Sequence, residues 1–480
     1  MKSDIKSKVF TSLMWKLLER GGVQGIQFII QIILARILTP NDYGIIAIIT
    51  IFISLANVFI QSGFGTALIQ KKEIDEKDLS SVFYLSLIIS VVIYLILFIT
   101  APLIANFYKI AILKDILRVL SLTLFLGTFN SIQNVIIIKN LEFKKMFIGS
   151  IGAATISGII SIIMVYNNFG IWTLVYQQLI NQTMLCIILY FIVKWRPKIL
   201  FSFTKVKALF SFGSKILFSS LLDTLYMNLR SLIIGKFYSP TMLGYYNRGD
   251  QFPLLIVSNF NGSIQSVIFP VFVQEQDNKV RLKELLRRSI VTGSFVIFPL
   301  MIGLAIVGEP LVKLLLTEKW TPCVPYLRVF CLSYALWPIH TANLQVINAM
   351  GRSDIFLKLE IIKKIIGIII LIVSLKYGVY MIAVGTLLGG IISSFVNSFP
   401  NKKILDYGYI EQMRDIFPSI GISLIMGGII YPISLLKINL VSIIFLQILL
   451  GMIVYILIAY LIKLECLSYL IKIVFKNQKN

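Results

Sequence analysis

"ARILTPNDYGI", Ala35 to Ile45, returns as "GKFYSPTMLGY", Gly235 to Tyr245. In both stretches a basic residue precedes Thr-Pro or Ser-Pro, and a glycine stands four positions after the proline. Two later pairs follow in the same order: "APLIANFY" at Ala101 with "EPLVKLLL" at Glu309, and "LRVLSL" at Leu117 with "LRVFCL" at Leu327. The offset grows only slowly along the series, which argues for a duplicated unit of about 200 residues.

The solvent for that unit follows from composition. The chain of 480 residues is 57% hydrophobic and 14% charged, far more apolar than a soluble core requires. Runs near twenty apolar residues fall at about 11–38, 43–69, 79–105, 115–138, 146–166, 170–193 and 208–235. They continue at about 243–273, 288–308, 324–349, 355–376, 379–400, 415–436 and 439–462. Connections are short and strand-like alternation is absent, so an all-α integral membrane protein with fourteen transmembrane helices is expected, not a barrel.

Each duplicated unit then holds six helices. Six is even, so both copies enter the membrane from the same side, and the lobes should be related by an axis along the membrane normal. The expected organisation is an N-lobe at 1–200, a C-lobe at 201–400, and two extra helices with a cytoplasmic tail at 401–480. Two six-helix lobes facing a central cleft are a transporter plan worked by alternating access.

The formal net charge of +23 raises the question of nucleic acid, and the placement of the cations answers it. Clusters such as Lys71, Lys72 and Lys77, or Lys279, Arg281, Lys283, Arg287 and Arg288, occupy alternate connections. The intervening ones hold only scattered residues such as Arg36, Lys109, Lys236 and Lys313. Basicity therefore reports topology, with both termini cytoplasmic and anionic headgroups as neighbours. The first apolar helix is expected to be an uncleaved anchor. Cys323 and Cys331 lie too far apart along one helix to bridge, and no metal or cofactor motif is visible. Two basic, apolar segments, "KILFSFTKVKALFSF" from Lys198 and "KLECLSYLIKIVFK" from Lys463, read as interfacial.

Polar residues inside the apolar runs mark the candidate site. On the first helix Lys16, Arg20, Gln24, Gln27 and Gln31 share an arc about 80° wide at 100° per residue. A lipid-facing charge costs about 2.5–3.5 kcal/mol at the bilayer centre, so the stripe should line something wet. Gly21 and Gly25, nearly opposite, read as a face for close helix contact. Lys16 also suits snorkelling to the headgroups. The seventh helix carries Asp223 and Arg230, and the eighth Arg248 and Asp250, with the carboxylates placed to neutralise the arginines. The amides Asn57, Gln178, Asn181, Asn259 and Asn343 suit either interhelical hydrogen bonds or the hydroxyls of sugars. Glu19, Asp223 and Asp250 are candidate coupling carboxylates, and His340 reads as a packed, neutral histidine.

The run "SLMWKLLERGGVQGIQFIIQIILARILTPNDYGIIAI", with "GFGTALIQKKEI" at Gly63, closely resembles the polysaccharide-transporter, or oligosaccharide flippase, branch of the multidrug/oligosaccharidyl-lipid/polysaccharide (MOP) exporter superfamily. The resemblance extends over all fourteen predicted helices. It implies a bacterial inner-membrane flippase that carries an undecaprenyl-diphosphate-linked oligosaccharide from the cytoplasmic to the outer leaflet during O-antigen, capsule or exopolysaccharide synthesis. A polysaccharide polymerase and export machinery would be its partners. It further implies basic cavity residues directed at the diphosphate, a role that falls on Arg20, Arg230 and Arg248. The alternatives are a cation-coupled multidrug antiporter of the same fold, which would want an acidic, aromatic cleft, and a membrane polysaccharide polymerase, which would want a larger extramembrane domain.

Overall fold

A computed structural model describes residues 2–61 and 64–468. The tail beyond Ser468, on which most of the interfacial expectation for the segment from Lys463 rests, lies outside them, as do the side chains of 2–10, 61, 64, 66, 208–212, 261 and 263–267. The described residues form helices and turns, with no strand among them. In chain order they are α1 (Lys2–Ile37), α2 (Pro40–Gln61), α3 (Phe64–Gln70), α4 (Glu76–Tyr108), α5 (Leu113–Leu120), α6 (Thr123–Asn140), α7 (Phe143–Tyr166), α8 (Trp172–Ile192) and α9 (Phe203–Phe237). There follow α10 (Pro240–Gln274), α11 (Lys279–Leu316), α12 (Val324–Ala335), α13 (Trp337–Ala349), α14 (Ser353–Ser374), α15 (Val379–Leu405), α16 (Tyr409–Ile430) and α17 (Leu440–Leu461).

Local chemistry sets the breaks. α1 ends where Pro40 can begin a helix but not continue one, because its missing N–H matters least in a first turn. Asp42 then accepts from the Thr39 amide at 2.9 Å and the Thr39 hydroxyl at 2.7 Å. The matching turn repeats the logic with Pro240, and the Ser239 hydroxyl accepts from the Met242 amide at 3.2 Å. α4 starts in a capping box made by Asp75 and Asp78.

Among the described residues nine helices are long and apolar enough to cross a membrane, including Glu76–Tyr108, Lys279–Leu316 and Leu440–Leu461. α1, α9, α10, α13 and α14 are not in that set, and they carry most of the polar positions picked out above. Those same polar residues are what lowers the apolar character of these helices, and intramembrane charge is kept where a site or a partner needs it.

The chain resolves into two compact units, Met1–Gly244 and Tyr245–Asn480. In the first, α1 lies along α7, α7 along α8, and α9 along α2 and α4. α1 meets α7 through Gly22, where an added Cβ would stand 2.6 Å from Ile151, and through Ile30, which fills the space over Gly158. Trp15 packs on Phe147 with ring centroids 5.2 Å apart. The face expected to make this contact does not: nothing lies within 4 Å of a Cβ at Gly21 or Gly25. The reason is angular, since Gly22 and the bulky Trp15 and Ile30 define an adjacent face that matches the small-residue groove of α7.

The stretch from Lys198 is not a separate surface helix. Its first residues run irregularly over the start of α4, the Lys198 and Ser202 amides donating to the hydroxyls of Ser80 (3.2 Å) and Ser81 (2.9 Å). From Phe203 it is already α9. Asp78, with its side chain 1% exposed, takes Lys71 at 2.5 Å and Lys205 at 3.4 Å, and Lys205 also pairs with Asp75. The ammonium and the Asp78 amide hold the Asp75 carboxyl down at about 2, from an ordinary 3.8.

In the second unit α11 is the hub, packed on α12, α13, α16 and α17. Both repeats share one tertiary device. Arg118 donates to the Phe98 carbonyl at 3.3 Å, the carbonyl four residues before Pro102 that proline leaves without its helical donor. Arg328, in the second "LRV", donates to the Ala305 carbonyl at 3.2 Å, one residue from the equivalent carbonyl before Pro310.

Candidate substrate-handling site

On α1, Lys16, Arg20 and Gln27 are exposed, while Glu19, Gln24 and Gln31 are partly exposed. Gly21 and Gly25, where nothing lies within 4 Å of an added Cβ, stand on another face of α1. Lys16 sits at the α7 start, its ammonium 5.1 Å from the Phe143 ring centroid, and the Ser12 hydroxyl donates to the Leu141 carbonyl at 2.8 Å. That end of α1 is thus tied to the turn before α7. Arg20 and the glutamines lie progressively farther along the helix.

Elsewhere in this unit the polar residues divide by function. Asp223 is exposed and Arg230 partly exposed on α9; Asn57 and Gln178 are partly exposed on α2 and α8. Asn181 donates to the Ser157 hydroxyl at 3.2 Å, joining α8 to α7. Asn130 donates to Gln182 at 2.9 Å, joining α6 to α8. These two contacts are interhelical and leave the amides less available to a ligand.

In the second unit a denser cluster forms at the start of α10. Gly249 lets α10 press on the turn before α12, where an added Cβ would meet the Cys323 carbonyl at 2.8 Å. That approach buries Arg248 to 5% exposure, its guanidinium 5.0 Å from the Trp320 ring and donating to the Gln251 amide oxygen at 2.6 Å. Asp250 accepts from the Tyr334 hydroxyl at 2.7 Å. Tyr334 in turn stands edge-on to Trp337 at 5.0 Å. Cation, carboxylate and aromatic faces gathered this way suit both an anionic group and sugar rings. Asn259, farther along α10, is exposed and donates to the Leu255 carbonyl at 2.9 Å.

Asn343 has another role. It is fully buried, donates to Gln412 at 2.8 Å, and accepts from Asn401 at 2.6 Å and Gln412 at 3.0 Å. This amide triad fastens α13, α15 and α16. The His340 ring nitrogen Nδ1 lies 3.3 Å from the Asn397 amide nitrogen, a packed setting. Sequence reading passed over Glu360 and Lys363, paired at 2.5 Å with side chains 29% and 14% exposed on α14. Their i, i+3 spacing inside an apolar run was the available signal.

A groove of about 460 Å³ runs between α11, α16 and α17, lined by residues including Phe295, Pro299, Gly303, Gly451, Met452 and Tyr455. Its walls are almost wholly apolar. Among the described residues no group of His, Cys, Asp and Glu is arranged to hold a metal ion.

Comparison with known proteins gives this geometry its context. A family model described as "Polysaccharide biosynthesis protein" matches residues 33–325. The teichuronic acid biosynthesis protein TuaB of Bacillus subtilis is 26% identical over 353 residues, covering 73% of this chain and 73% of that protein. The lipopolysaccharide biosynthesis protein WzxC of Escherichia coli is 24% identical over 400 residues, covering 82% and 80%. Among solved structures, the lipid II flippase MurJ in an inward closed conformation superposes with a TM-score of 0.75 at 19% identity, covering 98% of this chain and all of that one. At that identity the likeness shows the fold.

Proposed function

Because this chain belongs to the polysaccharide biosynthesis protein family, in the flippase branch of the MOP superfamily, and is a multi-pass membrane transport protein and not an enzyme, we propose that its cargo is a polyprenyl-diphosphate-linked oligosaccharide. On this reading the undecaprenyl-linked glycan crosses from the cytoplasmic to the outer leaflet of the bacterial inner membrane by alternating access. The observation that carries the reading is the α1 stripe: Lys16, Arg20 and Gln27, exposed on one arc of the helix in a chain otherwise built for hydrocarbon.

The physical task divides in two. A diphosphate and its sugars cannot enter hydrocarbon, so they need a wet, hydrogen-bonding surface with positive charge. Arg20 and Arg230 supply exposed or partly exposed charge, and Arg248, held against Trp320, supplies a preoriented one. Gln24, Gln27, Gln31, Asn57, Gln178 and Asn259 offer amides to the sugars. The isoprenoid chain needs no such surface and can slide along an apolar groove such as that of α11, α16 and α17. With a negative interior, outward passage of anionic charge gains about 2.3 kcal/mol per charge per 100 mV. Asp250 and Asp223 are the carboxylates from which a coupling cation would be tested first. The accompanying topology has fourteen spans, both termini cytoplasmic, lobes at 1–200 and 201–400, and the last two helices beyond them.

The test is transport of a fluorescent polyprenyl-diphosphate oligosaccharide in proteoliposomes. Arg20→Ala and Arg230→Ala should each lower flux about tenfold or more with normal insertion. Full flux in both would remove the diphosphate assignment, and export of a cationic dye dependent on Asp250 would favour the antiporter.

A further inference from the structure

Lys109 and Lys236 belong to the sparsely basic connections and read as scattered cations along the chain, yet the fold brings the ends of their helices, α4 and α9, together. The Lys236 ammonium donates to the Phe107 carbonyl and lies 3.8 Å from the centroid of the Phe107 ring. Lys109, exposed, stands two residues beyond that carbonyl. From the level of Lys236 a hollow of about 590 Å³ runs down between α2, α4 and α9, all within the first compact unit. Its walls are mostly apolar, Phe52, Leu103 and Leu232 among them, and the polar side chains lining it are Thr100, Tyr108 and Lys236. The Thr100 hydroxyl is spent on the Ile96 carbonyl at 2.7 Å. Tyr108, buried, stands edge-on to both Phe52 and Phe107, with ring centroids 6.4 and 5.2 Å away. Thr100 and Tyr108 are two turns apart on α4, so the hollow reaches about 12 Å along the helix. The hydrocarbon of one leaflet is about 15 Å deep.

These dimensions fix the class of occupant. A space lined this way offers water too few partners to hold it, and left empty it forfeits the dispersion contacts of its walls. A hydrocarbon chain fills it at no such cost. The mouth then selects the head. An ammonium has three N–H groups, of which the Phe107 carbonyl takes one, and lysine binds phosphate as a point charge. Two ammonium groups at neighbouring helix ends also repel, and an anion between them turns that repulsion into a bridge. The described residues of the lining include no amide for a sugar and no carboxylate for a headgroup amine, which disfavours a glycolipid and a zwitterionic lipid alike.

We propose that this hollow is a seat for an anionic phospholipid, with an acyl chain between α2, α4 and α9 and the phosphate on Lys236 and Lys109. On the proposed topology it opens to the outer leaflet. The seat shares no residue with the α1 stripe or with the groove of α11, α16 and α17, and its geometry does not depend on the cargo. A lipid held there ties the end of α9 to the end of α4 through its headgroup.

The purified chain in detergent, titrated with phosphatidylglycerol or phosphatidylcholine of identical acyl chains and read by native mass spectrometry, tests the seat. Each lysine beside an anionic headgroup is worth about fivefold, or about 1 kcal/mol, so phosphatidylglycerol should bind about tenfold or more tightly than phosphatidylcholine. Lys236→Gln and Lys109→Gln should each cut that preference about fivefold, and Lys236→Arg should keep it. Leu103→Trp, which fills the hollow from an exposed position, should weaken binding of both lipids. Equal binding of the two lipids by the parent would overturn the proposal. So would an undiminished preference in Lys236→Gln, which, joined to a lower melting temperature, would reduce Lys236 to a cap on α4. Displacement by glycerol phosphate alone would reveal a site for free phosphate, and preferential displacement by a polyprenyl diphosphate would reveal a cargo subsite; either result refutes a phospholipid seat. Binding is read without transport, so a chain that moves no polyprenyl lipid yet keeps the preference would refute the cargo and leave the seat standing.

Discussion

Gln27 on α1 and Gln412 on α16 carry the same side chain in the same kind of apolar setting, yet one is exposed and the other has no exposed surface. Gln412 is spent within the protein: it exchanges hydrogen bonds with Asn343 and donates to the Tyr407 carbonyl at 3.2 Å. Gln27 stands exposed on a flank of α1. Polar residues in a membrane protein thus fall into a self-satisfied class, which fastens helices, and an outward class, which waits for something wet. Side-chain type does not separate them; neighbours do.

The comparison breaks most easily at the triad. Asn343→Leu removes four side-chain hydrogen bonds, to the Ile339 carbonyl, to and from Gln412 and from Asn401, so it should cost about 2–3 kcal/mol and lower the melting temperature in detergent by several degrees. Arg20→Ala should invert that profile, with an unchanged melting curve and impaired flux. If Asn343→Leu melted like the parent, or Arg20→Ala melted early, the two classes would not be distinct. The α10 cluster sharpens the contrast, because there a group proposed for function is also partly satisfied internally. Tyr334→Phe removes a hydroxyl donated to Asp250 and should cost about 1 kcal/mol, while changing the pH dependence of flux if Asp250 takes part in coupling.

The smallest expected effect lies at the α4 clamp. The Asp75 carboxyl is held below its ordinary range, so its contribution is complete above pH 3.8 and is lost as pH falls toward about 2. Between pH 7 and 5 the clamp should therefore leave the melting temperature unchanged. Hydrogen exchange across residues 198–206 should speed up only under strong acid, and Asp75→Asn should abolish that acid response. The group is too exposed for a larger stability effect.

Much of this was legible in advance. Apolar runs gave helices because hydrocarbon forces the backbone to satisfy itself; that two of them start at Pro40 and Pro240, three residues before the expected bounds, came from the structure. The stripe of α1 was visible because helical period places its members on one flank. What escaped was which flank docks. Gly21 and Gly25 promised a contact that Gly22 makes, since the partner's shape, not small size alone, selects the face. The Glu360–Lys363 pair was passed over although its spacing was readable. The roles of Asn181 and Asn343 could not be separated from those of Gln178 or Asn259, because satisfaction is a property of two helices at once.

By itself the sequence determined the solvent, the helical class and the family, since each is written in composition, local period or recognisable words. Only the tertiary structure decided that Asn343 is enclosed while Arg20 is open, that Arg118 fills the carbonyl orphaned by Pro102, and that Gly44 and Gly244 receive each other's proline carbonyls. Those facts depend on which distant backbones meet at ångström range, and a one-dimensional pattern carries no distance between residues two hundred positions apart.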